Sequence, residues 1–359
     1  MSDITVATTG DRTAFCSSVK ADAWQARSAE KAYEWWYFDA LSDDGREAVV
    51  IVFTDNYVFS PRYAAARDPA RPARLRTPAV SFLYSVDGKV VFRTVSEFTE
   101  RQFCGSTESV ECSIGDSSFR LDSAEYGSGY FVTVDVPLGA NRRLKATFEW
   151  LSIEADLLPA DETAVGMPSF WNMVATRSDV SGKIEFFGRT GKLKRQVHFR
   201  GTGYHDHVAG DAPLHDTIRT RQWGRAHFTD CTAIFSLQSG PDEAPEGKLF
   251  VVRDGAIRER NAGFEESRFR RDRYGIKFPT RLRFLTEDNI RLRVKPLKVI
   301  DSNFYDLRLL SEMTLMLRDG KPRRAIGITE FLAPKNMKYR LFRWFSGLKI
   351  GKSGKGPIF

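Results

Sequence analysis

The 359-residue chain reads as an all-β protein, two antiparallel barrel or sandwich domains packed together. Three observations predict this. Apolar residues recur with a period of two rather than 3.6 along most of the chain. Runs rich in β-branched and aromatic residues are bounded by Gly, Pro, Asp or Asn at short intervals, enough for about 18 to 20 strands. Asp-Gly steps at 87–88 and 319–320 lie between apolar runs, as in tight hairpins. At roughly 150 residues per domain the length gives two domains, and helix should stay below about 15%, against ~30% in globular proteins generally.

The elements follow in order. Residues 1–30 form an N-terminal extension, with helical periodicity near 17–31. A first domain, 31–195, takes in strands at 33–40, 47–54, 129–137, 142–151 and 183–189. The character of the chain changes near 190–200, and a second domain, 196–334, takes in strands at 232–238, 248–253 and 325–333. Two long loops interrupt the pattern. Residues 60–78 hold four prolines and five arginines, and 155–169 form the second loop. Loops of that length in a compact domain are usually functional or disordered. A tail, 335–359, shows the other helical periodicity.

Composition excludes several classes. Hydrophobic residues make up 42% and charged residues 28%, too apolar for a disordered chain. The 13% aromatic content can line an apolar pocket. No apolar run approaches the ~18–20 residues of a membrane span, and the opening residues lack the pattern of a secretion leader. Cys16, Cys104, Cys112 and Cys231 form no CxxC, so the expectation is a cytoplasmic chain with reduced thiols. Walker, GxGxxG, HExxH and GxSxG motifs are absent, and no cofactor is expected. The net charge is +8, but seven cations and no acid follow Glu330, which leaves the first 330 residues at +1. Nucleic-acid binding by the body of the protein is therefore not indicated.

All five histidines lie between 198 and 227. In Gly201-Thr-Gly-Tyr-His-Asp-His207, an extended backbone puts His205 and His207 on one face and Tyr204 and Asp206 on the other. A carboxylate beside imidazoles can orient a ring and tune it for proton transfer. The alternative is a set of satisfied polar residues at a strand end. His205 and His207 with Asp211 or His215 could supply three metal ligands, but spacing fixes no third ligand and no metal is expected. In Tyr33-Glu-Trp-Trp-Tyr-Phe-Asp39, one face carries Tyr33, Trp35, Tyr37 and Asp39, the other Glu34, Trp36 and Phe38. A carboxylate among indoles has a raised pKa that suits a proton donor; equally, the aromatics can be plain core. In Trp223-Gly-Arg225, Trp223 can wall a pocket and face a cation, and Arg225 can neutralise Glu34 or Asp206.

These motifs, with Ile328-Thr-Glu-Phe-Leu332, occur in an order and over a span of about 300 residues that resemble the carotenoid 1,2-hydratase (hydroxyneurosporene synthase) and AttH-like family. The resemblance implies two lipocalin-like β-barrel domains with the site between or within them. It also implies cofactor-free chemistry on C=C bonds of a lipophilic polyene or isoprenoid. A hydratase of this kind protonates a terminal C=C to a carbocation that water captures. This chain departs from the hydratases in reading Val208-Ala209 where they carry Asn-Trp, and in lacking the acid of a Tyr-x-Asp on the strand after Trp223-Gly-Arg225, where it has Phe235 and Leu237.

The reading is an acid/base enzyme of the hydratase, cyclase or isomerase type. His207, Asp206 and Glu34 are its acid/base candidates, with Tyr204 and His205 in support. Trp35, Trp36, Trp223, Arg225 and Phe235 are expected to contact the substrate. The alternatives are a shape-driven pericyclic cyclase and a non-catalytic lipocalin-like binder. The tail, 336–359, interleaves cations with Tyr339, Leu341, Phe342, Trp344, Phe345 and Leu348. That composition fits peripheral contact with an anionic membrane or a terminus partly packed on the barrel.

Overall fold

Period-two runs become strands throughout. The computed structural model describes residues 13–65, 76–124, 127–158 and 166–351; strand accounts for 63% of it and helix for 9%, below the expected ceiling. The first group of strands is β1 (Ala14–Cys16), β2 (Tyr33–Ser42), β3 (Glu47–Thr54), β4 (Ala79–Val86), β5 (Lys89–Glu97), β6 (Phe103–Gly105), β7 (Glu111–Ile114), β8 (Ser117–Ala124), β9 (Gly127–Leu138), β10 (Arg142–Ala155), β11 (Ser169–Phe187) and β12 (Leu193–Gly210). The second is β13 (Thr220–His227), β14 (Thr232–Ser239), β15 (Glu246–Arg253), β16 (Ala256–Arg271), β17 (Lys277–Thr286), β18 (Arg291–Ser302), β19 (Asp306–Met316) and β20 (Pro322–Leu332).

The first twelve make one curled sheet, β5-β4-β3-β2-β12-β11-β10-β9-β8-β7-β6, with β1 parallel on β11. The other eight close into an antiparallel barrel by pairing β13 with β20. The architecture is therefore two lipocalin-like β domains packed together. The 195/196 boundary expected from composition falls inside β12, which is paired with both β2 and β11. The chain leaves the first sheet after Gly210 and enters the barrel at Thr220.

Local chemistry accounts for the turns. Asp87 and Gly88, at φ 51° and 70°, close the two-residue β4–β5 hairpin in the left-handed conformation that Asp-Gly tolerates. The helix expected near 17–31 does not form; one 3-10 turn at Lys20–Asp22 is all that is helical there. Side-chain oxygens capture its amides instead. Ser18 N–H donates to Asn172 Oδ1 at 2.8 Å and Gln25 N–H to Glu34 Oε2 at 2.9 Å, which lays the segment across the sheet. Of the two long loops, 66–75 and 159–165 lie outside the described residues, and α1 (Pro61–Ala65) is a single short helix. Two later helices are α2 (Leu214–Thr217) and α3 (Arg340–Gly347).

Three apolar layers result. Trp36, Phe38, Phe119, Trp150 and their neighbours fill the curled sheet. Ala233, Phe235, Leu249 and Leu292 belong to the barrel interior. Between the two bodies, Tyr37, Trp171, Tyr204 and Val208 of the sheet meet Trp223, Ile234 and Ile328 of the barrel. A fully buried ion pair crosses this seam: Arg225 Nε donates to Asp39 Oδ1 at 2.8 Å. Cys104, Cys112 and Cys231 are free thiols, and no helix of the described residues is long and apolar enough to cross a membrane.

Candidate active site

Strands β2 and β12 are antiparallel neighbours, with His207 opposite Trp36 and Asp206 opposite Tyr37. Side-chain alternation then separates two chemistries onto two faces. Glu34, Trp36, Phe38, His205 and His207 point into the curled sheet. Trp35, Tyr37, Asp39, Tyr204, Asp206 and Val208 point toward the barrel.

The inward face is a polar network sealed from solvent, in which His207 Nδ1 and Asp22 Oδ1 lie 3.6 Å apart without a hydrogen bond. His207 Nε2 lies 3.1 Å from Glu34 Oε2, and its ring stacks on Trp36 at 4.6 Å. His205 stacks on Phe38 at 3.9 Å. Its Nδ1 faces the Tyr37 carbonyl at 3.0 Å and its Nε2 faces Asp22 Oδ2 at 2.9 Å. The ring thus bridges the Asp22 carboxyl and the Tyr37 carbonyl. Tyr130 donates to the same Asp22 oxygen at 2.7 Å. Glu34, His205, His207 and Asp22 are essentially inaccessible to solvent, and none of them lines a cavity described below.

The outward face opens on a cavity at the seam, with a volume of about 120 Å³. Ligand pockets usually span roughly 300–1,000 Å³, so this space has room for only part of a drug-sized molecule. Trp35, Tyr37, Tyr57, Phe59 and Trp223 wall it, with Val52, Val58, Val208 and Leu332 between them. Tyr33 stacks on Trp35 at 5.0 Å, and Tyr37 meets Trp223 edge to face at 5.3 Å. The charged lining is Arg93, Asp206, Arg221, Asp301, Asp306, Arg308 and Glu330. Arg93 pairs with Asp301 at 2.9 Å, and Arg308 with Glu330.

Asp206 stands out in this lining. Its Oδ2 accepts from Trp171 Nε1 at 2.8 Å and from Tyr204 Oη at 2.9 Å, while its buried Oδ1 has no partner. Burial raises its carboxyl to about 7, against the Trp171 and Tyr204 hydrogen bonds and the Arg221 charge, which act the other way. Asp306 is also raised to about 7, by burial and then by the Asp301 charge. Burial likewise pushes Tyr37 and Tyr204 well above the phenol range, so both are neutral donors.

The structure therefore brings Asp206, Tyr204, Trp35 and Trp223 together at one cavity or just beneath it, and sends His205, His207, Glu34 and Trp36 to the opposite face. Arg225 neutralises Asp39, not Glu34 or Asp206 as anticipated. Phe235 packs inside the barrel against Phe284 at 5.1 Å, away from this cavity. Of the five histidines clustered along the sequence, His205 and His207 meet in space, around Asp22, and the other three lie apart. His198 meets Gln196, His227 meets Thr232, and His215 sits on α2. Among the described residues no group of three or more His, Cys, Asp or Glu is placed to hold a metal ion. Arg221 escaped notice although it precedes Trp223 by two and so shares its face. Arg93, Asp301, Asp306 and Arg308 come from β5, β18 and β19, and no local signal links them to the motifs.

No protein-family model matches the chain. It is 25% identical over 353 residues to hydroxyneurosporene dehydrogenase of Chlorobaculum tepidum, covering 93% of this chain and 91% of that protein. It is 29% identical over 205 residues to the acyclic carotenoid 1,2-hydratase of Thiocapsa roseopersicina, covering 56% of this chain and 46% of the relative, so the match spans about half of that enzyme. Among solved structures, an AttH-like protein of Nitrosomonas europaea superposes with a TM-score of 0.57 at 18% identity, over 84% of this chain and 92% of the other. The resemblance to the carotenoid hydratase and AttH-like group thus holds in sequence and in fold.

Proposed function

We propose that this chain, similar in sequence to carotenoid 1,2-hydratases over about 56% of its length and in fold to an AttH-like protein over 84%, is an enzyme that adds a proton to a C=C bond of a lipophilic polyene or isoprenoid. The observation that carries the reading is Asp206, a carboxyl with an unpartnered oxygen on an aromatic-walled cavity, poised to be protonated near neutral pH. Tyr204 and Trp171 hold its other oxygen and so fix its direction. Its proton passes to the alkene carbon. The electron deficiency that develops faces Trp35, Tyr37 and Trp223, whose π faces favour positive charge. Water then adds and returns a proton to the Asp206 carboxylate, so the balance is one water gained. Alternatively a second C=C of the polyene attacks the cation to close a ring, and loss of a proton to the Asp206 carboxylate gives an isomer. His207 and Glu34 do not line this cavity, and in this reading they brace β2 against β12.

Incubation with an acyclic polyene followed by mass spectrometry tests it. A product heavier by one water, or an isomer of equal mass, is the expected result. Binding without turnover across C20 to C40 polyenes would leave the binder reading in its place.

The tail supplies a way to reach such substrates. Helix α3 is anchored by Phe342 and Phe345, 5.2 and 5.9 Å from Phe304, and by buried Met337. Tyr339, Leu341, Trp344 and Leu348 remain 52–61% exposed beside Lys335, Lys338, Arg340 and Arg343. Phe59, which lines the cavity, stacks on Tyr305 next to Phe304. We propose that this face rests on an anionic membrane surface at the cavity rim. Because Met337 and Phe342 pack against the body, removal of the whole tail is not a clean test. Leu341→Glu with Trp344→Glu should weaken sedimentation with phosphatidylglycerol-containing vesicles by about tenfold or more, and salt should weaken the unaltered protein. Equal sedimentation of both proteins would end the membrane proposal.

A further inference from the structure

The cavity contains a charge that the chemistry above does not use. Arg221, on β13, is buried, and it makes no ion pair among the described residues. Its guanidinium lies over Trp171, 4.7 Å from the ring centroid, and its Nε has no acceptor. The other two cavity arginines are neutralised, Arg93 by Asp301 and Arg308 by Glu330. A buried guanidinium with an idle donor costs stability unless something completes it. It also opposes positive charge on a reacting carbon nearby. The unpartnered Oδ1 of Asp206 lines the same cavity.

We infer that the substrate is not a bare hydrocarbon: its buried end carries a carbonyl-type oxygen, of a carboxylate, ester or ketone, that accepts a hydrogen bond from Arg221. The inference rests on the reading of this cavity as the substrate site. A carboxylate end would neutralise Arg221 outright; an ester or ketone would satisfy its N–H. Burial, which raises the Asp206 carboxyl and lowers Arg221, keeps that acid neutral beside an incoming acceptor and free to protonate the polyene. With a carboxylate on the guanidinium, its charge no longer opposes protonation of the polyene.

The test uses a fluorescent C18 tetraene, cis-parinaric acid, with its methyl ester and the corresponding hydrocarbon. Titrated into the full-length protein, the acid should bind at least about tenfold tighter than the hydrocarbon, with the ester between them. Arg221→Met should bring the acid down to the hydrocarbon's affinity and leave the hydrocarbon within about twofold. Arg221→Lys, which retains a cation, should keep part of the preference and serves if the Met variant does not fold. Equal binding of acid and hydrocarbon by the unaltered protein, or a preference that survives Arg221→Met, overturns the inference alone. Val208→Trp, which fills the cavity, separates the two levels: if all three probes bind it as before, the cavity is not the ligand site and the proposed function falls with the inference.

Discussion

Asp206→Asn lowers turnover by about 10²- to 10⁴-fold, the usual range for loss of a general acid, and leaves the protein folded. The amide keeps an oxygen for Trp171 and Tyr204, which both donate to Oδ2, and fills the same volume. What it lacks is a transferable proton. The pH dependence is the sharper signature. With its carboxyl near 7 in the folded protein, Asp206 is protonated below that pH, so kcat/KM should be high in mild acid and fall as pH rises through about 7. The residual activity of the Asn variant should lack that fall. Stability moves in a related direction. Between the ordinary carboxylate range and about 7 the folded state binds the proton and the unfolded state does not, so stability declines as pH rises across that window. Asn removes Asp206's share of the slope and leaves that of Asp306, raised to about 7 as well. Turnover within a few-fold of normal in a folded Asn variant would remove Asp206 as the donor.

His205→Ala costs about 3–5 kcal/mol of stability and changes turnover per folded molecule by no more than a few-fold. The substitution deletes both contacts of the ring, to Asp22 and to the Tyr37 carbonyl, and its stacking on Phe38. It leaves the Asp22 carboxyl buried with Tyr130 as its remaining close donor, and breaking a buried charged pair from one side has that cost. His207→Ala follows the same logic through Glu34, with a cavity beside Trp36. Denaturant unfolding gives the stabilities, and activity normalised to folded protein gives the turnover. A normally stable His207→Ala protein without turnover would return catalysis to the inward face, with Glu34→Gln expected to behave alike.

How much of this was legible beforehand depends on which residues have to meet. Alternation along a single strand is set by backbone geometry, so the two faces of Tyr33–Asp39 and of Tyr204–His207 follow from residue order alone. The Asp87-Gly88 hairpin follows likewise, because few residues other than Asn, Asp and Gly adopt positive φ at low cost. The segment 17–31 failed as a helix because its partners are remote: Asn172 and Glu34 capture amides that a helix would have used.

The order of residues thus determined the strands, the alternation and a polar segment of two chemistries, and its motifs carried the resemblance to the hydratase group. Which face of β12 meets a cavity was decided only by tertiary structure. The choice depends on what packs on each side: Trp36, Phe38 and Phe119 close over the histidines, while the barrel wall of Arg221, Trp223 and Glu330 leaves space over Asp206. The environment that sets a proton's affinity has the same origin. Burial of Asp206, the pairing of Arg225 with Asp39, and the unpaired state of Arg221 all arise from contacts between bodies far apart in sequence, and desolvation and charge act through space rather than along the chain.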